Sequence, residues 1–294
     1  MDFFLQILLN SLVSGTQILF LSISLYLIKT VSKIEHVALG AIGTTIAYGV
    51  YSSFKASGSI LISILTGLIA ATILGLISFK LLEPFYKKKQ TLYALLVSLA
   101  FGLGLESLLG IIFGSGSKNF IDGVLETIKF GTIRITVPGF YTIILGLVLA
   151  TLTYFIIKKT PLGRNLQSLS ENQNLVASLG INQISIRKTT YILASVIAGT
   201  VGTLISLNSS LNPTLGFNFI IIAFISLFVG GSKDIKGIII ASYILSLVPE
   251  FLINYAPNTL NVTSSYKMLF IFIIALILLS FKPNGLFSKN VRSN

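Results

Sequence analysis

Residues 60–79 read ILISILTGLIAATILGLISF, a run with no charged side chain. A helix needs about 20 mostly apolar residues to cross roughly 30 Å of hydrocarbon, and this run supplies them. A membrane β-strand would alternate apolar and polar positions instead, which this stretch does not do. Backbone groups find no water inside a bilayer, so a helix that closes its own hydrogen bonds is the natural spanning form. Outward from this run, similar apolar stretches place spans at 4–28, 37–54, 58–82, 91–114, 138–157, 189–208, 214–232, 237–254 and 264–281. The fold class is therefore an all-α polytopic membrane protein with about 8–9 transmembrane helices. The seventh and eighth stretches are short enough to form a re-entrant pair, and no inverted repeat is legible.

Composition agrees. Of 294 residues, 53% are hydrophobic and 10% charged, whereas soluble domains carry roughly 25% charged residues to cover a water-facing surface. No stretch has soluble composition for long enough to form a second unit, so residues 1–294 read as one transmembrane domain. The start, Met1-Asp2-Phe3-Phe4, lacks the basic region of a signal peptide, and its apolar run is kept as a first span. The net charge of +12 does not point to nucleic acid, because the basic residues sit in short loops between spans. Alternate loops hold sixteen of the 21 Lys and Arg residues, leaving Lys55, Lys118, Lys129, Arg134 and Lys267 on the other side. By the positive-inside rule the N-terminus is outside, the C-terminus inside, and the chain a multi-pass protein of the cytoplasmic membrane.

Several chemistries are excluded. There is no cysteine and one histidine, His36, so thiolate and His-cluster metal sites are ruled out. The stretch Gly114-Ser115-Gly116-Ser117-Lys118 lacks the spacing of a P-loop. No nucleophile–base set can be assembled, so the chain reads as a non-enzyme with no cofactor of its own.

Two loops are long. The external one, 115–138, holds a β-prone stretch, Thr132 to Val137. The cytoplasmic one, 158–188, carries the more informative pattern. Thr160 before Pro161 suits an N-cap followed by proline at the first helical position, with Leu162, Leu166 and Leu169 at spacings of four and three. Ser170 with Gln173 fits a capping box opening a second short helix over Glu171, Asn172, Leu175, Val176, Ala177 and Leu179. Gly180 would end that helix in a left-handed cap, ahead of Ile181. A helix of this length is marginal in water alone, so packing must order it. Its apolar face, Leu175, Val176 and Leu179, suits a groove on a partner protein or the lipid interface, and the pattern fits both.

Within the spans, Glu106 is the ionisable residue placed deepest, and such residues usually face a cavity or a partner. It could line a translocation path or serve packing. Pro213 and Gly216 break the chain before a short span, a feature that marks transport pathways in some folds. Gly67, Ala71 and Gly75 form a small-residue ridge that suits close helix packing. His36 is expected at the cytoplasmic end of the second span as a cap or interfacial hydrogen-bonder.

Thr160-Pro161-Leu162-Gly163-Arg164, Glu171-Asn172, Ala177 and Gly180-Ile181 together resemble the cytoplasmic loop of LivH-type permeases, membrane subunits of branched-chain amino-acid ABC importers. His36 with Gly43 is similar to an early motif of that family. Pro213, Gly216-Phe217 and Gly230-Gly231 are similar to a later one, and 281–287, FKPNGLF, to its terminal signature. Val37 stands where the family usually has glycine, and Lys33-Ile34-Glu35 precede the histidine in place of its usual run.

The resemblance implies the fold of type II importer membrane domains. It also implies a complex with a second permease subunit, two P-loop ATPase subunits that bind ATP and magnesium, and an extracytoplasmic solute-binding protein, all assembled in membrane lipid. Residues 171–181 become the ATPase-coupling element. The substrate expected is a branched-chain or other amino acid, with urea, sugars or nucleosides carried by related permeases. An ion-coupled secondary transporter is the competing class.

Overall fold

The computed structural model describes residues 2–121, 123, 125–131, 133–171, 176, 178, 180–231, 235–255, 263–283 and 285–286, and among these the chain folds as ten α-helices and one hairpin. The helices are α1 (Asp2–Ser32), α2 (Leu39–Ser57), α3 (Ile60–Lys87), α4 (Thr91–Phe113), α5 (Val137–Lys159), α6 (Pro161–Glu171), α7 (Gln183–Asn208), α8 (Leu215–Gly230), α9 (Ile235–Tyr255) and α10 (Lys267–Phe281). Between α4 and α5, β1 (Thr127–Phe130) pairs antiparallel with β2 (Ile133–Thr136), with Ile128 opposite Ile135. All nine expected spans are helical. By length and apolarity α1, α3, α4, α7 and α9 can each cross a membrane, while α8 and α10 are apolar but shorter.

The ends sort onto two faces. On one, Gln6 exchanges two hydrogen bonds with the backbone of Arg134 (2.8 and 2.9 Å), Thr136 donates to Asn208 Oδ1, and Lys118 bridges to Leu211. On the other, the Lys29 ammonium lies 4.1 Å over the Phe228 ring, and Arg187 at the start of α7 grips Glu83 near the end of α3. Thus α1 and α7 run in opposite directions. Among the described residues, the loop ends sort as the charge count grouped them; Lys233, Lys289 and Arg292 lie outside those residues.

The chain also contains an inverted repeat that the sequence reading missed. Helix α1 ends at Ser32 and α7 at Asn208; α2 starts at Leu39 and α8 at Leu215; α4 starts at Thr91 and α10 at Lys267. Each pair is separated by the same offset, and α3 and α9 follow it within one residue. The packing repeats as well: α1 lies along α9 as α7 lies along α3, and α1 and α7 pack together at the centre. Opposite directions make this an inverted-topology repeat, an architecture found in many transporters.

Both halves break their helices at mid-depth. A Cβ at Gly102, the midpoint of α4, would lie 3.3 Å from the Cα of Ala38, so α2 begins level with the middle of a spanning helix. A Cβ on Gly40 would strike the Gly216 carbonyl, and one on Gly216 would strike that of Gly40. Helix α8 therefore starts at the same level and runs the other way. Helix α9 is long and apolar enough to cross, whereas α8, like its counterpart α2, begins at mid-depth.

The small-residue ridge of α3 packs within the subunit, as expected. Gly67 faces Val50 and Ile46 of α2, and Gly75 faces Ile192 of α7. The opposite face of α3, including Leu61, Leu65 and Ile69, is exposed, as a hydrocarbon-facing surface should be.

Gly216→Leu forces side-chain atoms into backbone and should destabilise the fold by about 1–3 kcal/mol, the usual cost of overpacking. Gly49→Ala, where an added Cβ meets nothing within 4 Å, should be neutral or stabilising, since Ala outranks Gly in helices. Thermal unfolding in detergent measures both; equal melting temperatures for the two variants would refute the crossing.

Candidate functional site: coupling loop and membrane recess

Thr160 does two jobs at the head of the lysine-rich loop. Its hydroxyl donates to the Ile156 carbonyl (2.6 Å), closing α5, and accepts from the Gly163 N–H (3.3 Å), opening α6. This is the N-cap expected. Helix α6 runs on to Glu171, so Ser170 lies inside its last turn and not at the head of a new helix. Leu166 and Leu169 are buried against the rest of the subunit, and Arg164 and Gln167 on the other face are exposed.

Beyond Glu171, the predicted coupling residues Asn172, Leu175, Ala177 and Leu179 lie outside the described residues. Val176 is 0% exposed, its carbonyl accepts from Ile181 N–H (3.3 Å), and Gly180 has φ +71°, the left-handed cap foreseen. The expectation for Val176 itself needs correction. An apolar side chain in this position is pulled into the chain's own core, so it anchors the loop and is not offered to a partner. Among the described residues, Pro161, Arg164, Gln167, Ser178 and Gly180 are exposed on the loop. Asn182 then caps α7 by accepting from Ser185 N–H (3.1 Å).

Below the loop a polar stack enters the bundle. Arg187, 3% exposed, makes a two-pronged pair with Glu83 (3.1 and 2.7 Å) and lies 4.0 Å over the Tyr86 ring. One turn on, Tyr191 bonds the Ser32 side chain and packs on Phe79 and His36. His36 Nδ1 is 2.8 Å from Ser98 Oγ, which also accepts the Ala38 N–H (3.1 Å). The histidine does bond as a cap would, but it is wholly buried between α4 and α7 and not at an interface.

Beside Ser98, the outer face of α4 holds a shallow apolar dent of about 10 Å³, room for one water. Val37 and Ala41 from the start of α2, Leu99, Gly102 and Leu103 from α4, and Phe217 from α8 wall it, and Glu106 lies in it. Glu35, Glu83 and Glu250 each hold a basic partner; among the described residues Glu106 has none. Of the three residues predicted for the path, Glu106 alone lines this recess. Gly216 is filled against by the Gly40 backbone, and Pro213 is buried in the turn that opens α8. Sequence reading missed Phe217 and Leu103, whose apolar character gave no signal apart from core or lipid contact.

At the far end of α8, Leu286 N–H donates to the Val229 carbonyl (2.8 Å). Gly285 (φ +90°) lies so close to Gly231 (φ +98°) that a side chain at Gly285 would strike it. Two stretches singled out by resemblance, the double glycine and the terminal signature, thus pack together on the basic face.

The model of the branched-chain amino acid transport system / permease component family matches residues 7–279. The chain belongs to this family. It is 27% identical over 259 residues to a probable branched-chain amino acid transport permease protein, LivH, of Methanocaldococcus jannaschii, covering 85% of this chain and 81% of that one. It is 29% identical over 119 residues to the ribose import permease protein RbsC of Haemophilus influenzae, over 40% and 36% of the two chains. The solved structure of PsaBC from Streptococcus pneumoniae in complex with Fab has the same fold, with TM-score 0.52, 15% identity, and coverage of 92% and 90%.

As an ABC permease the chain needs no reactive constellation of its own, and among the described residues no group of three metal-ligating side chains occurs. The permease's loop is fixed by a buried ion pair, and removing one partner of such a pair typically costs about 3–5 kcal/mol. Glu83→Ala should therefore lower the unfolding midpoint far more than Glu35→Ala, whose pair with Lys29 is partly exposed. Thermal unfolding side by side gives the ranking, and a reversed ranking would sink it.

Proposed function

We propose that this permease moves branched-chain or other amino acids inward, powered by two separate ATPase subunits that hold ATP and magnesium. An extracytoplasmic binding protein feeds it, and a second permease subunit completes the pore. The N-terminus lies outside and the C-terminus inside. The observation that carries the reading is the family match over nearly the whole chain, joined to a loop on the basic face anchored by buried Leu166, Leu169 and Val176. ATP binding on the motor subunits would push on that loop and bias the bundle between two openings, as any ligand with differential affinity for two states does.

Amino acids are favoured over ribose because the longer match is to a branched-chain permease, whereas the ribose permease aligns over less than half of the chain. A secondary transporter deserves a test because of the inverted repeat and the partnerless Glu106. Reconstitution decides between them. Leucine should accumulate in proteoliposomes only when the ATPase subunits and ATP are present; accumulation by the permease alone would overturn the reading.

Val176→Pro should uncouple the complex, because proline breaks the anchored loop without touching the spans. Coupling between sites typically spans about 5–150-fold, so ATP-dependent uptake should drop at least about fivefold while membrane insertion persists. Undiminished uptake would remove the loop from the mechanism. For orientation, Ser178→Cys should react with an impermeant maleimide only from the cytoplasmic side, and Lys129→Cys only from outside.

A further inference from the structure

We infer that the end of α3 on the basic face holds the headgroup of an anionic phospholipid, with Lys80, Lys87 and Lys88 around its phosphate. These three lysines, with Phe79, Glu83 and Pro84, line an open cleft of about 400 Å³. Glu83 already holds Arg187, whose Nη1 is buried with no hydrogen-bond partner among the described residues. Lys80, Lys87 and Lys88 belong to no ion pair among those residues. The cleft therefore carries three positive charges with no acid left to balance them, and Phe79 and Pro84 give it an apolar wall.

Depth along the helix separates the candidate occupants. Residues 60–79 give about 30 Å of apolar helix, which matches the hydrocarbon core, and headgroups add roughly 5–7 Å on each side. Lys80 stands at that edge and Pro84 about 6 Å beyond it; long lysine stems let Lys87 and Lys88 reach back. The cleft is thus level with lipid phosphates. It also continues an exposed stripe. Leu61, Leu65, Ile69, Ile73 and Ile77 recur every fourth residue, and Lys80, Pro84 and Lys87 extend that face. A phospholipid meets both parts at once, tails along the stripe and phosphate among the lysines. Free phosphate has no tails, and an acidic segment of a soluble partner has nothing to lay against Ile73 and Ile77. Three uncompensated cations favour a net-negative headgroup such as phosphatidylglycerol over a zwitterionic one, whose own ammonium opposes them.

The chain has no cysteine, so Ile77→Cys carries a single bimane beside the cleft. The labelled chain is assembled with its ATPase subunits in phosphatidylcholine bilayers. Acyl-chain nitroxide phosphatidylglycerol should quench the bimane with an apparent affinity about fivefold or more above nitroxide phosphatidylcholine. Lys80→Gln, Lys87→Gln and Lys88→Gln together should erase the preference, and the three Lys→Arg changes should keep it. Each single Lys→Gln change should lower it in part, so the result does not hang on the triple variant's assembly. A bimane at Phe155→Cys, three residues before Lys158 as Ile77 is before Lys80, is the matched control and should show no more preference than the triple glutamine variant. Equal quenching by the two lipids at Ile77→Cys, or a preference that survives the glutamines, would overturn the site. An equal preference at Phe155→Cys would reduce it to general surface charge. Loss of the preference in millimolar inorganic phosphate would make it a soluble-anion site, and loss only when the ATPase subunits are added would make the cleft theirs; each result overturns the lipid.

Discussion

A backbone N–H or carbonyl left unpaired in hydrocarbon costs several kcal/mol, and this chain interrupts its helices twice at mid-depth. Everything distinctive about the bundle answers that problem. At the first break, Lys33 turns the chain with φ +56°, and the segment to Ala38 returns into the bundle with Ile34, His36 and Ala38 buried. Ser98 takes the Ala38 N–H, and the His36 carbonyl takes that of Leu39. At the second break, Leu211 pairs with Lys118, and the Asn212 and Thr214 carbonyls accept from Leu215 and Phe217. Helix α1, about 46 Å long by its residue count, and its counterpart α7 shield both breaks from lipid.

The crossing of Gly40 on Gly216 follows from the same constraint. Two helices that start at one level and run apart bring their first turns together, and only residues without a Cβ allow that approach. The neighbouring contact, Gly43 against Gly202 and Ala198, extends the seam along α7. Near the seam the helix starts crowd against α4, and the recess with Glu106 opens where α2, α4 and α8 meet.

Much of this was readable from residues alone. The nine apolar runs give the helices because hydrophobic length is a direct physical requirement of the bilayer, and Thr160-Pro161 and Gly180 announce their caps by local stereochemistry. The repeat was hidden, although Leu39-Gly40 with Ile46-Ala47 recurs as Leu215-Gly216 with Ile222-Ala223. Lipid-facing positions accept nearly any apolar residue, so two halves can share a backbone with little sequence in common. Val176 was misassigned for a related reason. An apolar face on a loop helix says that something covers it, and composition cannot say whether the cover is a partner or the chain's own core. Phe217 and Leu103 gave no signal because a side chain that lines a dent and one that faces lipid are equally apolar.

The polar stack beneath the loop gives the recess a mechanical connection to the basic face. Ile181 and Asn182 lead straight into α7. Arg187 locks that helix to α3, Tyr191 touches Ser32 and the His36 ring, and His36 holds Ser98 on α4. Ser98 is adjacent to Leu99, which walls the recess. From Arg187 to Ser98 each link is buried and either hydrogen-bonded or close-packed, and such interiors shift between discrete arrangements more readily than they deform. Contact alone does not establish coupling; the stronger argument is geometric. Helix α7 packs on both central partners, α1 and α2, so a displacement at its N-terminus cannot be absorbed locally. It must be taken up at the seam where Gly43 meets Gly202, and that seam positions the start of α2 against α4.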